Sequence, residues 1–497
     1  MQRSLRALTI LSLLVAMTAC GKKQEGTVAP GDDVKDGQLS SELDAKNKAS
    51  KDKAKTNTLI SLANEDLARG RYVSARAKAN DALAVNPNNA DAFAVLGASY
   101  WRGGDFDAST KAYKEAIELD RNNFGALLGL ARNYQALGNH KEALELADVV
   151  LKDNAKQIDP LLTKLWSYYA LADADNAVKV LDELFQFIGD NPILPLVQAQ
   201  AAFMRPLEGK GELIKVEGAR GTSNAGLDVE GGLKYTGAEV GGTFAPLVFF
   251  ELREECRIDK ELAKSLGLKA VGKIKPIGAE AEQDIVLIPE IKFRGDLKIK
   301  NIPAIVDDLS PYASIGETPG VLLGRQLLSK IGSVTFDFPT SSLEITAAAP
   351  TAAPAGAAEA PFLLLDMHVL LVPVTRVSID GSDFSFFSWL GGRYKAGMSV
   401  TRWAYLKSGH LPREIAELDD PDQGLKMVFL KEMKLGSAVT TGLGGLVLAG
   451  TPPDPDLAQI IDGTGFELGG YINLTLMKGW KMTLVPSAGK IYVTPRK

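Results

Sequence analysis

Between residues 57 and 192 the sequence repeats itself every 34 residues. Ala75, Ser109, Ala143 and Ala177 keep that step, and all four are small. Tyr100, Tyr134 and Tyr168 keep it as well, as do Gly70, Gly104 and Gly138, with Ala172 in the fourth place. Each repeat has apolar residues at helical spacing, a small residue at a turn, and a second amphipathic stretch, which predicts a helix pair. Asn86-Pro87-Asn88-Asn89 and Asn122-Asn123 mark turns between units. One such pair cannot cover its own apolar face, so neighbouring pairs must stack into a curved solenoid. No catalytic constellation lies in this stretch.

Composition bounds the rest. A chain of 497 residues, 45% apolar and 24% charged, suggests roughly three domains of about 150 residues. Its net charge of −5 gives no basic field for nucleic acid. Two cysteines, Cys20 and Cys256, make no disulfide framework. The three histidines (His140, His368 and His410) are scattered and make no metal site, so neither metal nor cofactor is expected. Each is read as structural, His140 as a core or interface residue.

The 34-residue units resemble tetratricopeptide repeats, about four of them, over residues 57–204. The resemblance implies that the first helix of each pair lines a concave groove. Trp101, Arg132, Gln135, Trp166 and Tyr169 would project there as anchors for a peptide or a partner helix. An equally open reading has Trp166 and Tyr169 packing between adjacent repeats.

Residues 1–19 are not expected to be part of the fold. Arg3 and Arg6 precede an apolar run, Leu8 to Met17, shorter than the roughly 20 residues that span a bilayer. It ends in Met17-Thr18-Ala19-Cys20, which resembles a bacterial lipoprotein signal. The resemblance implies acylation of Cys20 and a membrane anchor. Gly21, where Asp would mark inner-membrane retention, leans to the outer membrane, facing the periplasm or the cell surface. An ordinary signal peptide cleaved near Ala19 is the open alternative. Residues 20–56 carry few sizeable apolar side chains; from Gly21 to Thr56, eight Lys stand against seven Asp and Glu. They read as a disordered tether.

Beyond residue 205 the period changes to alternating β-branched runs: Ile285 to Ile288, Val334 to Phe338, Lys426 to Leu430 and Lys481 to Val485. An Ala/Pro-rich linker, residues 346–361, divides this region into lobes at 205–345 and 362–497. Landmarks recur in both. Gly267 and Gly409 lie 142 apart and Gly324 and Gly469 lie 145 apart, which suggests duplication. The Glu261–Leu268 helix, the run Gly320-Val321-Leu322-Leu323-Gly324-Arg325 and the closing hairpins resemble lobes of retropepsin-like aspartic proteases. Leu322-Leu323-Gly324, and more weakly Glu467-Leu468-Gly469, match that family's apolar pair and Gly. The expected fold class is therefore a multidomain α plus β chain: a tetratricopeptide-repeat α-solenoid, then two retropepsin-like all-β lobes.

The chemistry of that family needs two carboxylates sharing a proton, each in Asp-Thr-Gly or Asp-Ser-Gly. Neither tripeptide occurs in the chain. The matching place in lobe 1 falls near Phe250-Glu251-Leu252, and from Phe384 through Arg413 lobe 2 has no acid at all, the loop Trp389-Leu390-Gly391-Gly392 included. Asp462-Gly463-Thr464-Gly465 reads as a Gly-assisted turn, Thr451 to Asp456 as a surface loop, and Cys256 as an ordinary thiol. The leading expectation is a membrane-anchored interaction scaffold, not an enzyme, with a protease-like module that keeps an extended-peptide cleft between the lobes. Two alternatives stay open. One is an active aspartic-type peptidase using Glu251 or Asp259; the other is a structural lipoprotein of envelope assembly.

Overall fold

The computed structural model describes residues 36–153, 156–227, 234–249, 255–276, 280–312, 318–366, 371–387, 398–409, 425–448, 468–472, 476 and 479–495. The chain divides into two compact units, up to Leu130 and from Ala131 onward.

The first unit is helical: α1 (Asp36–Ala68), α2 (Tyr72–Val85), α3 (Ala90–Arg102), α4 (Phe106–Leu119) and the start of α5 (Phe124–Ala136). Helix α1 shortens the expected tether, because residues 36–56 are helical. Lys, Glu, Ala and Leu are good helix formers; a scarcity of apolar residues argues against a buried segment, not against a helix. Residues 45–50 of α1 are exposed, whereas Ile60 and Ala63 enter a core with Ala75, Ala79, Val95 and Leu96. The 34-residue period has a direct cause here. Gly70 and Gly104, at the α1–α2 and α3–α4 turns, have φ of +73° and +72°, a region that costs a residue without Cβ nothing. Side chains of Asn89 and Asp105 cap α3 and α4 by accepting from the N–H of Ala92 and Ala108. Tyr113 fixes the helix spacing. An added Cβ on Gly97 would lie 2.6 Å from its ring, and Gly129 presses on the same ring.

The second unit continues with α6 (His140–Asp153), α7 (Ile158–Ala170), α8 (Ala174–Phe185), α9 (Leu194–Met204) and a 3-10 turn, Arg205–Leu207. The turns keep the period: Gly138 has φ +77°, and Ala172 takes the fourth left-handed place at +52°.

Lobe 1 follows: β1 (Lys215–Glu217), β2 (Arg220–Leu227), β3 (Lys234–Val240), β4 (Thr243–Phe249), β5 (Cys256–Asp259), α10 (Lys260–Ser265), β6 (Ala270–Ile274), β7 (Gln283–Lys292), β8 (Arg294–Gly295), β9 (Lys298–Asp307), β10 (Val321–Leu323), α11 (Arg325–Leu328), β11 (Ser333–Asp337) and β12 (Ser342–Thr346). Lobe 2 holds β13 (Ala358–Asp366), β14 (Leu371–Ile379), β15 (Ser382–Phe387), β16 (Met398–Thr401), α12 (Arg402–Lys407), β17 (Leu425–Leu435), β18 (Ala438–Leu448), β19 (Gly470–Ile472), β20 (Trp480–Val485) and β21 (Lys490–Pro495). The linker is shorter than expected. Thr346 belongs to β12, and Ala358 to Pro361 pair with β21, because a strand's backbone pairs whether or not its side chains alternate.

The two lobes share one pairing scheme. In lobe 1 the order β3–β4–β10–β5–β9–β7 closes back on β3, with β4–β10 and β5–β9 parallel. In lobe 2, β14–β15–β19–β16–β18–β17 closes back on β14, with β15–β19 and β16–β18 parallel. Each lobe is thus a small closed barrel, which leaves few strand edges open. Gly267 and Gly409, with φ of +62° and +94°, follow α10 and α12 at matching places. The second expected match is displaced. The Asp259 N–H donates to the Gly320 carbonyl and the Thr401 N–H to the Gly469 carbonyl, each at 2.8 Å. Gly469 therefore corresponds to Gly320, not to Gly324, and Tyr471-Ile472 in β19 stands where Leu322-Leu323 stands in β10.

An antiparallel sheet, β2–β12–β11–β20–β21–β13, joins the lobes. Its centre is self-complementary. The hairpins β11–β12 and β20–β21 correspond with one offset, Ser333↔Thr346 against Lys481↔Thr494. That offset makes Thr483 the counterpart of Thr335, and these two residues face each other. Their Oγ1 atoms are 2.9 Å apart in a buried contact. Such isologous pairing is the signature of two-fold symmetry, realised here within one chain.

Candidate functional site

In the first unit, Trp101 ends α3 but does not project into a groove. It is 3% exposed and meets Phe106 edge-on, with centroids 5.1 Å apart. Burying an indole against a neighbouring aromatic removes more apolar area from water than leaving it on a groove wall.

In the second unit, Gln135 and Tyr169 hold the equivalent places on α5 and α7. Gln135 Nε2 donates to the Thr163 carbonyl at 2.9 Å and to Ser167 Oγ at 3.0 Å, tying α5 to α7. Tyr169 is 2% exposed. Its hydroxyl donates to Glu255, its carbonyl accepts from Gln326 Nε2 at 2.9 Å, and its ring tilts against Phe203 at 5.9 Å. Trp166 is half-buried against the same core, and Arg132 is exposed. Of the five expected groove residues, the structure thus leaves Arg132 open to solvent and uses Trp101, Gln135 and Tyr169 in packing. His140 opens α6 and is buried.

The core explains this use. One continuous apolar cluster runs from Leu161, Leu165 and Leu181 through Phe203 and Met204 into Ile285, Phe336 and Met482. Tyr169, which would have lined an open groove, lies in this cluster and bonds Glu255 and Gln326 of the β-rich region instead.

Asp259 caps α10, accepting from the N–H of Glu261 at 3.0 Å and of Leu262 at 3.4 Å, with Leu309 N–H on its other oxygen at 3.4 Å. Its counterpart Thr401 caps α12 through the Ala404 N–H. Asp259 is thus held by three backbone donors, two of them at the N-terminus of α10. Cys256 is fully buried, its Sγ accepting from the Gly324 N–H at 3.3 Å. Burial pushes its thiol up to about 11, the reverse of a nucleophile's needs. Glu251, Leu252, Trp389 to Gly392, His368, His410, Thr451 to Asp456, Asp462 to Gly465 and Cys20 lie outside the described residues.

Sequence reasoning missed a polar cluster on the opposite side of β5. Arg257, 4% exposed, pairs with Asp307, whose other oxygen accepts from Gln283 Nε2 at 2.8 Å. The only hint in the sequence was an Arg set within alternating apolar residues of a strand. Among the described residues no group of three or more His, Cys, Asp or Glu could hold a metal ion. Among them, too, no helix is long and apolar enough to cross a membrane.

Comparison with known proteins bears on the helical part. Two tetratricopeptide-repeat family models match, over residues 60–124 and 100–165. No curated protein matches the chain. Among solved structures, PilF of Pseudomonas aeruginosa is similar at 17% identity, over 31% of this chain and 68% of its own, with a TM-score of 0.29. A tetratricopeptide repeat protein of Parabacteroides merdae is similar at 22% identity, over 31% of this chain and 60% of its own, with a TM-score of 0.27. The first repeat domain of Spaghetti (RPAP3), bound to an HSP90 peptide, is similar at 20% identity over 24% of this chain and 95% of its own, with a TM-score of 0.23. Scores this low carry no argument about function. The N-terminal part of the chain carries tetratricopeptide repeats, and a β-rich region with barrel-like sheets follows them.

Proposed function

We propose that this protein is a membrane-anchored interaction scaffold: a repeat solenoid joined to a two-lobed, protease-like module that has lost its acids. The observation that carries the scaffold reading is the series of helix pairs, each turned at a left-handed residue 34 positions from the last. Tetratricopeptide repeats bind protein or peptide partners. Exposed Arg132 is the remaining polar anchor for a partner among the five expected groove residues. The protease-like reading is supported by the doubled barrel and its self-complementary seam, together with the absence of Asp-Thr-Gly and Asp-Ser-Gly from the sequence. Anchoring rests on the sequence around Cys20, and an outer-membrane site on Gly21.

A second reading, a structural lipoprotein of envelope assembly, is favoured by the burial of Trp101 and Tyr169. Capture of an unfolded peptide by the full chain separates the two: the scaffold reading expects binding that Arg132→Glu or a competing peptide removes. An active peptidase is the third reading. Cleavage of unfolded substrates at acidic pH, abolished by Glu251→Gln, would overturn the acid-free reading. For the anchor, Cys20→Ser should move the protein from the membrane fraction to the soluble one.

A further inference from the structure

The third and fourth helix pairs touch both lobes, at separate places. On the lobe-2 side, the α5–α6 turn rests on the turn between β20 and β21. A Cβ on Gly138 would lie 2.6 Å from the Pro486 carbonyl oxygen, and one on Gly489 would lie 2.5 Å from Leu137 Cδ2. Both glycines are left-handed, at φ +77° and +60°. On the lobe-1 side, the Tyr169 hydroxyl donates to Glu255 beside β5, and Gln326 of α11, fully buried, donates to the Tyr169 carbonyl. Further along, Pro206 of the 3-10 turn sits on Gly272 of β6 so closely that no Cβ fits. Gln135 connects the two sides, reaching from α5 to Thr163 and Ser167 on α7.

These contacts form one unbroken path: Pro486 and Gly489, Leu137 and Gly138, Gln135, Thr163 and Ser167, Tyr169, then Glu255 and Gln326. The direct seam between the lobes is narrow by comparison, since β11 and β20 pair over four residues, Val334 to Asp337. Twist between adjacent strands varies by roughly 10–35° from sheet to sheet, so a four-residue ladder alone sets the angle between the lobes loosely. We propose that the third and fourth helix pairs are a strut that fixes the relative orientation of the two lobes, with Gln135 as its tie. The inference rests on the reading of the lobes as one two-lobed module, and it names what regulates that module's opening.

The test is an inter-lobe distance measurement by pulsed electron paramagnetic resonance on the full chain carrying Cys20→Ser. Nitroxides go on Lys273→Cys in β6 and Lys431→Cys in β17, both exposed; buried Cys256 stays unlabelled. The parent should give one narrow distance distribution. Gln135→Ala, Tyr169→Phe and Gly138→Val should each broaden it or add a second distance, with the helical circular dichroism kept. If Gly138→Val fails to fold, Gln135→Ala and Tyr169→Phe decide alone. Distributions identical to the parent in both would overturn the strut and leave the β11–β20 seam as what holds the lobes. No peptide enters this measurement, so its failure is distinct from failure of the peptide-capture test.

Discussion

At the scale of single residues, Asp66 shows how a buried charge is held by several partners. Asp66 of α1 is 4% exposed and accepts from Lys78, Ser74 and Arg71, so α1 and α2 are locked by one carboxylate. The Lys78 ammonium first, then Ser74 and Arg71, hold its pKa far below the usual carboxylate range against the opposing effect of burial. A depressed folded pKa contributes stability above the unfolded pKa, and that contribution is lost as pH falls through the acid range. Stability of the parent, followed by urea titration, should therefore decline from pH 5 towards pH 2. Asp66→Asn should be less stable at pH 7 and should show a flatter decline. This residue was invisible to pattern reading, since nothing in one Asp among the many polar residues of α1 distinguishes a buried clamp from a solvated charge.

At the scale of elements, small residues are where the packing is tightest. Gly97 and Gly129 both press on the Tyr113 ring, at its Cε1 edge among other atoms, so Gly97→Val should cost about 1–3 kcal/mol through overpacking, read as a lower midpoint in guanidinium unfolding of the helical signal. The lobe seam offers a cycle. Thr335→Val alone leaves the buried Thr483 hydroxyl without its partner and should cost about 1–3 kcal/mol. Adding Thr483→Val should recover most of that loss, because both polar groups are then gone. A double variant as unstable as the sum of the singles would show that the two hydroxyls act independently. The elements themselves were largely legible. The runs at Ile285, Val334, Lys426 and Lys481 all fall in strands, and Gly267 and Gly409 mark matching helix ends. Gly469 matches Gly320 rather than Gly324, because Leu-Gly pairs recur without carrying register, which only hydrogen bonding between strands defines.

At the scale of the whole molecule, the C-terminal unit has one core rather than a solenoid and two lobes with separate ones. Phe203, Met204 and Leu207 are buried in the cluster that also holds Ile285, Phe336 and Met482. Ending the chain after Met204 would expose that surface. Amide hydrogen exchange should then lose protection over α7 to α9, while α2 to α4, whose core is separate, keep theirs. Equal protection in the short and full chains would refute this dependence.

The sequence by itself determined the repeat length, the turn positions, the change to a β-rich C-terminal region and the lack of the acid motif. Those are local or periodic properties, set by left-handed turns, helical spacing and residue identity. Tertiary structure alone decided that Trp101 and Tyr169 are packed rather than presented, that Asp259 caps a helix, and that the last repeats bridge both lobes. An amphipathic helix shows that one of its faces must be covered. What covers that face is decided by contacts between residues as far apart as Tyr169 and Gln326, which no periodicity records.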